Sequence, residues 1–432
     1  MREKKAGMLG LCLRGIMREA WLPEGCRLRE AEFNFDHCLK CNYCQTACPV
    51  QEVYPIFPGP KRLGPERKRL HKEKVEEDLS LVDYCLGCGN CEIICPNEVY
   101  VSKLVLEGKL AVHPRKKLKY RIRDYFLARP DKLGRIVSRI SPVANWLLSS
   151  KIWKKGFFPL VGIPSHRKFP QYSSRRVEEP EEAAKRKETR GYGEKILMFL
   201  GCFSEYNRPL VGRTAIDLLI QEGCEVKISS GGCCGLPALS NKDMKEFARK
   251  ARNRLLEIEK YLEMGYKVVT PCTSCSYTMK SYYPYFVDVD MCELAQRVAE
   301  NVYDLGEFLI GNWEGTDIAR QLKPRKQNIF YHVPCHLKAQ GIGRPWVDIL
   351  SLIPEINIVE LNEECCGMAG TYGFKEERYS ISMAVGSKVF RKIEEYHPDI
   401  VISDCGMCQT QLEQGTGYKV RHPIEIFYEA YV

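Results

Sequence analysis

Apolar and polar positions alternate in blocks along the C-terminal half, and the blocks come twice in the same order. Short apolar runs closed by glycine or polar turns read as buried strands, and longer stretches with apolar residues three and four apart read as helices. The first pass predicts strand 195–200, helix 207–222, strand 225–228, a long helix over about 242–264 and strand 266–270. The second predicts strand 329–333, a helix near 346–352, strand 356–361, helix 379–396, strand 399–403 and a closing helix 424–431. Strands alternating with helices point to parallel sheets. Residues 194–325 and 326–432 therefore read as a duplicated α/β domain pair.

The N-terminal half follows other patterns. Residues 1–30 form a basic lead-in whose Met8, Leu9, Leu11, Leu13, Ile16 and Met17 fit a short amphipathic helix. Residues 31–110 read as a separate, mostly α-helical domain, whose connector 51–83 holds Pro55, Pro58, Pro60 and Pro65 before a charged helical run. Over 111–193 lie an amphipathic segment and a linker. There Leu133, Ile136, Val137 and Ile140 share one helical face, while Lys132, Arg135 and Arg139 take another. Ser141 as N-cap and Pro142 at the first helical position open a second helix carrying Trp146, Leu147, Leu148, Ile152 and Trp153. Residues 171–193 lack apolar periodicity and read as the linker.

Charge sharpens this division. The 432-residue chain has a formal net charge of +10, yet residues 115–176 hold 17 Lys and Arg against Asp124 and Asp131. That segment alone is +15 and leaves the remainder at −5, so no nucleic-acid partner is expected from the basic balance. A basic, amphipathic, Trp-bearing stretch suits a bilayer interface; a solvated face, or a surface for an acidic partner, fits the same residues. No apolar run approaches the roughly 18 residues of a membrane span. Any membrane contact is thus expected to be peripheral, through 115–176.

The chain's 22 cysteines set the chemistry. No cleavable signal peptide is visible over 1–20, and the chain is too long to need disulfide staples, so thiolate ligation in a reducing cytoplasm is preferred to a secreted scaffold. The expected location is cytoplasmic, with the inner face of the cell membrane as the peripheral alternative.

Cys38, Cys41, Cys44 and Cys48-Pro49 repeat in spacing as Cys85, Cys88, Cys91 and Cys95-Pro96. In this C-x2-C-x2-C-x3-C-P run three cysteines reach one cubane and the fourth reaches the other. The expected [4Fe-4S] sets are Cys38, Cys41, Cys44 with Cys95, and Cys85, Cys88, Cys91 with Cys48. Structural zinc seldom needs three evenly spaced cysteines plus a fourth before proline, twice over, so a two-cluster ferredoxin domain is expected over 31–110.

Each α/β copy adds five more cysteines: Cys202, Cys233-Cys234-Gly235 and Cys272/Cys275, then Cys335, Cys365-Cys366-Gly367 and Cys405/Cys408. The intervening gaps are 30 and 37 residues in the first copy and 29 and 38 in the second. Adjacent cysteines make a strained disulfide and are better read as ligands. All lie just past predicted strand ends, where open α/β sheets place their sites. Soft thiolates suit iron–sulfur chemistry. Five per copy exceeds what a cubane requires, which leaves an unusual cluster, a free redox thiol, or two zinc sites with spare thiols.

These segments resemble the cysteine-rich "CCG" domains of the heterodisulfide reductases and their relatives. With a ferredoxin domain in front, the layout is similar to that of the C subunits of anaerobic glycerol-3-phosphate dehydrogenases, over roughly residues 33–432. The second copy carries the closest text: Cys335-His336, Cys365-Cys366-Gly367-Met368-Ala369-Gly370-Thr371-Tyr372-Gly373-Phe374 and Asp404-Cys405-Gly406-Met407-Cys408-Gln409, with the final His422-Pro423. The resemblance implies one or two noncubane [4Fe-4S] clusters, on Cys202, Cys233, Cys234, Cys272 and Cys275 and on Cys335, Cys365, Cys366, Cys405 and Cys408. Glycerol-phosphate-type relatives often lack part of the first set, which is complete here.

His336, beside Cys335, is the candidate proton donor or partner to a cluster sulfur; a structural histidine is its alternative, and the preferred reading for His332. Cys12, Cys26, Cys224 and Cys292 match no motif and read as ordinary thiols. Gly341-Ile342-Gly343 lacks the third glycine and helix entry of a dinucleotide fingerprint, so electrons are expected from another subunit. The leading reading is an iron–sulfur electron-transfer subunit. It would take electrons from a flavoprotein dehydrogenase, acting by resemblance on glycerol 3-phosphate or a 2-hydroxy acid, and pass them to a membrane quinone. The alternatives are a disulfide acceptor reduced at the noncubane sites, or transfer between soluble redox partners.

Overall fold

In the computed structural model, which describes residues 35–75, 78–112, 116–177, 193–313, 321–361 and 364–432, the alternating apolar runs form two four-stranded parallel sheets. The first contains β1 (Lys195–Met198), β2 (Glu225–Ile228), β3 (Lys267–Thr270) and β4 (Val302–Asp304), in the order β2-β1-β3-β4. The second contains β5 (Gln327–His332), β6 (Ile356–Leu361), β7 (Ile400–Ile402) and β8 (Val420–Arg421), in the order β6-β5-β7-β8. The expected duplication therefore extends to topology. Strands buried on both faces read as unbroken apolar runs, as Ile196, Leu197 and Met198 illustrate. β4 and β8 were not expected; at three and two residues they are too short to show a period.

One apolar core runs through both copies, joining Ile196, Leu218 and Val269 to Tyr331, Ile349 and Phe427. It is closed where helix Pro209–Gln221 packs on the final helix Pro423–Tyr431. Helix Met244–Glu263 buries Phe247, Ala251, Leu255 and Ile258, spaced to form a single stripe. Each such large apolar side chain contributes about 1.5–3 kcal/mol when fully buried. Helix Tyr379–Tyr396 has the expected bounds.

The N-terminal region is helical, with Tyr43–Thr46, Pro49–Val53, Asn90–Ile93 and Val101–Ala111 around Val50, Phe57, Leu63, Val82 and Val105. The basic segment folds as helices Leu118–Leu127, Pro130–Val137, Ser141–Ser149 and Lys151–Phe157. Ser141 is the first residue of its helix and makes no capping bond, because Ile140 occupies the cap position. Residues 171–177 are docked, not free: Asn145 donates to the Tyr172 carbonyl and Ser173 N–H to that of Tyr206. The expected helix over 1–30 and the rest of the linker, 178–192, lie outside the described residues.

Candidate iron–sulfur centres

The first cysteine loop turns through left-handed backbone at Lys40 and Asn42, with φ of 60° and 71°. That places Cys38, Cys41, Cys44 and Cys95 around one shallow cavity. Burial, then the neighbouring Cys38 and Cys95, pushes the Cys44 thiol up to about 11. The second loop turns at Gly87 and Gly89, and Gly87 N–H donates to Cys85 Sγ at 3.4 Å. Burial pushes Cys48 up to about 12, and Cys85 adds to the shift. Cys91 is raised by burial, with Cys88, Cys85 and Cys48 all within electrostatic reach. The fourth cysteine of each motif thus crosses to the other trio.

In the first α/β copy the sulfurs form a chain from Cys202 through Cys233, Cys234 and Cys275 to Cys272. In the second the same chain runs Cys335, Cys365, Cys366, Cys408, Cys405, with the Cys366 and Cys408 sulfurs 3.2 Å apart. The glycine after each pair is required. Gly235 and Gly367 have φ of 94° and 79°, and a Cβ on Gly367 would collide with the Ser382 carbonyl oxygen. Each turns its N–H toward the sulfur two residues back, at 3.4 Å. Cys405 is pulled down to about 6 by its bond from Cys408, against burial.

Two buried groups show that the second site suits a bound anionic metal centre. His332 is 1 % exposed, neither ring nitrogen has a hydrogen-bond partner among the described residues, and the ring lies with Cys366 and Cys408 so that their ligand atoms are within 4.8 Å of one another. An unsatisfied buried polar group costs about 1–3 kcal/mol. Burial pushes the imidazole down to about 4, which keeps it neutral. Arg167 is 0 % exposed and has no carboxylate partner among the described residues; its guanidinium sits 5.2 Å from the Phe374 ring centroid and 2.6 Å from Met368 Sδ. A buried cation needs a nearby negative charge. A thiolate-ligated iron–sulfur centre at Cys366 supplies one, and the residues present fit the group.

The cysteine sets adjoin one another. Cys88, in the second ferredoxin-type set, lies within electrostatic reach of Cys365 and Cys335. His336 bridges three segments at this junction, pairing its Nε2 with the Gly87 carbonyl at 3.2 Å and its Nδ1 with Ser274 Oγ at 3.0 Å while stacking on Tyr277. Ser274, between Cys272 and Cys275, contacts Cys405 Sγ at 3.7 Å and so joins the two five-cysteine sets. Beyond Cys202, helix Pro130–Val137 lies on helix Gly201–Tyr206, and Asp131 pairs with Lys250 at 2.5 Å. His422, as expected, caps the final helix. Cys224 is a buried free thiol, whereas Cys292 is disulfide-bonded, against expectation; Cys12 and Cys26 lie outside the described residues.

Sequence reasoning missed Arg167, one of many cations in a basic stretch, and ranked His332 as structural. Aligning the copies on their lone cysteines would have flagged the second. Three residues before Cys202 stands Phe199, and three before Cys335 stands His332.

A dicluster domain joined to paired cysteine-rich domains defines an iron–sulfur electron-transfer protein. The family model for the 4Fe-4S dicluster domain matches residues 34–99, and that for the cysteine-rich domain matches 196–280 and 329–413. The chain is 32% identical over 410 residues to the C subunit of anaerobic glycerol-3-phosphate dehydrogenase from Escherichia coli K12, covering 92% of this chain and 98% of that one. It belongs to that family. Lactate utilization protein A of Bacillus licheniformis is 31% identical over 55% of this chain and 98% of its own length. The B subunit of the fumarate reductase (CoM/CoB) from Methanothermobacter marburgensis is 30% identical over 55% of this chain and 47% of its own.

Proposed function

We propose that the chain carries electrons from a flavoprotein dehydrogenase of glycerol-3-phosphate or 2-hydroxy-acid type to a membrane quinone. When filled, the two cubane sets and the two noncubane sets supply one-electron carriage. The protein's own contribution is the order of its ligand sets: Cys38 with Cys95, Cys85 with Cys48, the Cys365-Cys366 set, then the Cys233-Cys234 set. His336 and Ser274 hold these junctions together; whether His336 also moves a proton is part of this proposal. The observation that carries the reading is the last step, because the helix beside Cys202 belongs to the basic segment 116–177, several of whose large apolar side chains are exposed. Ile136 is 63 % exposed, Trp146 67 %, Ile152 87 % and Leu160 70 %. Among the described residues no helix is long and apolar enough to cross a membrane, so this face supports peripheral contact on the inner side of the cell membrane.

Anionic vesicles are expected to bind the protein, more weakly at high salt. Ile152 and Leu160 would each contribute about 1.5–3 kcal/mol on burial, so the I152E/L160E pair is expected to bind at least about 100-fold more weakly in flotation. Equal flotation of wild type and variant would remove the membrane from this reading. Anaerobic protein is expected to hold about 16 iron atoms, four per cluster; about 8, with only cubane EPR signals, would overturn the noncubane sites. The completeness of both five-cysteine sets favours disulfide reduction as the second reading. Turnover of a disulfide but no quinone by the anaerobic protein would put it first.

A further inference from the structure

A cavity of about 180 Å³ lies where the dicluster domain, the basic segment and both α/β copies meet. It has room for about a dozen waters at the 10–15 Å³ each needs. Among the described residues, Lys109, Lys116, Lys242, Lys375 and Arg378 line it against Asp83 and Glu377, a surplus of three positive charges. Much of the negative charge nearby is already engaged. Glu377 is held by Arg123 through two bonds of 2.7 Å, Asp83 pairs with Lys242 at 2.6 Å, and Asp124, behind the wall, takes Lys116 at 2.6 Å and Lys375 at 3.4 Å. Lys109 and Arg378 have no carboxylate within ion-pair distance among the described residues; Lys109 donates to the Cys85 carbonyl, and Arg378 covers the Tyr84 ring at 3.6 Å.

The wall also offers an unspent donor. The Tyr372 hydroxyl is buried and has no hydrogen-bond partner among the described residues. Burial pushes Lys375 down to about 7 and Lys242 down to about 8, as expected where positive charge is incompletely compensated. A centre on Cys48, Cys85, Cys88 and Cys91 would offset part of that charge. Of those four, however, only Cys85 lines the cavity, so the space lies beside the centre and is not filled by it.

We propose that this cavity binds a small molecule bearing two or more carboxylate or phosphate groups, and that its occupancy lowers the reduction potential of the neighbouring centre. Lysines and arginine at fixed positions around a partly desolvated space recognise such anions by charge-assisted hydrogen bonds. Negative charge placed beside Cys85 favours the oxidised state of that centre, and by linkage its reduction weakens anion binding by the same factor. The second clause rests on Cys85 ligating an iron–sulfur centre; the binding clause does not.

Citrate and pyrophosphate, titrated calorimetrically into the anaerobic iron-loaded protein, are the probes, with sulfate and chloride as controls. At least one probe is expected to bind one per chain, with K375M and R378Q each weakening it tenfold or more and the exposed control R252Q leaving it unchanged. An EPR-monitored redox titration is expected to show the cubane potential falling about 59 mV per tenfold difference in affinity between its two oxidation states. Failure of both probes to bind, binding equal to that of sulfate, or binding indifferent to both variants overturns the site. Should K375M fail to fold, R378Q and the wild-type titration decide. Binding with an unmoved potential overturns the tuning. Loss of the cubane itself would show in the iron count, apart from either result.

Discussion

Replacing Arg167 by Gln is expected to lower the reduction potential of the centre held by Cys335, Cys365, Cys366, Cys405 and Cys408 by on the order of 100 mV. The cation is fully buried, lies in a site where Cys366 feels its charge, and is compensated by no carboxylate among the described residues. Burial pushes it down to about 10, and the nearby Tyr379 and Cys366 partly restore it. At an effective dielectric of about 20 and a separation of roughly 6 Å, one unit charge is worth about 3 kcal/mol. With 1.4 kcal/mol and 59 mV each corresponding to a tenfold change, that gives the stated shift for a one-electron couple. The sign follows because reduction adds negative charge, which the guanidinium favours. Arg167→Lys keeps the charge but loses the planar fork over Phe374, and is expected to recover part of the potential. An EPR-monitored titration of the three proteins checks this. Equal potentials in wild type and R167Q would leave Arg167 a packing residue.

How much of this was legible in the chain depends on the range over which each feature is specified. The cysteine motifs and apolar strands are local, so the ferredoxin-like loops, the duplication and the strand-end location of the thiols could all be read in advance. Helix Tyr379–Tyr396 came out with its bounds because its periodicity ends at His397, which turns the chain at φ 49°. β4 and β8 could not be read, since pairing with a neighbour, not their own pattern, makes them strands. The inward or outward direction of the basic residues is likewise set from afar. Arg123 is drawn in by Glu377 and Arg167 lies against Met368, partners more than 200 residues away, while the equally basic Lys132 and Arg139 stay exposed. The amphipathic pattern of 130–140 correctly showed two faces but not which would point inward. Gly134 and Ser138 pack on the protein, and Ile136 and Ile140 face out.

Replacing His332 by Phe is expected to remove a histidine nitrogen coupling from the pulsed-EPR spectrum of the second five-cysteine centre without unfolding the chain. The first copy itself supports the tolerance. Phe199 occupies the same position before Cys202, is 1 % exposed, and belongs to the same buried cluster as Cys233, Cys234 and Cys275. The substitution also deletes a buried polar ring that has no hydrogen bond among the described residues, so stability of the fold is expected to hold or rise by about 1–3 kcal/mol before any loss of metal contact is counted. The imidazole is neutral at ordinary pH and carries one N–H and one lone pair. It can therefore ligate iron through the free nitrogen or donate to a sulfur, and either contact is lost in the variant. Iron content is expected to stay near wild type, because all five thiolates remain. The potential is expected to fall as a donor or neutral ligand is removed. The two five-cysteine centres would then become more alike in spectrum, since the variant gives the second copy the residue of the first. An unchanged nitrogen coupling and potential in H332F would show that the ring makes no contact with the centre, and would leave its two unpartnered nitrogens without a ligand to explain them.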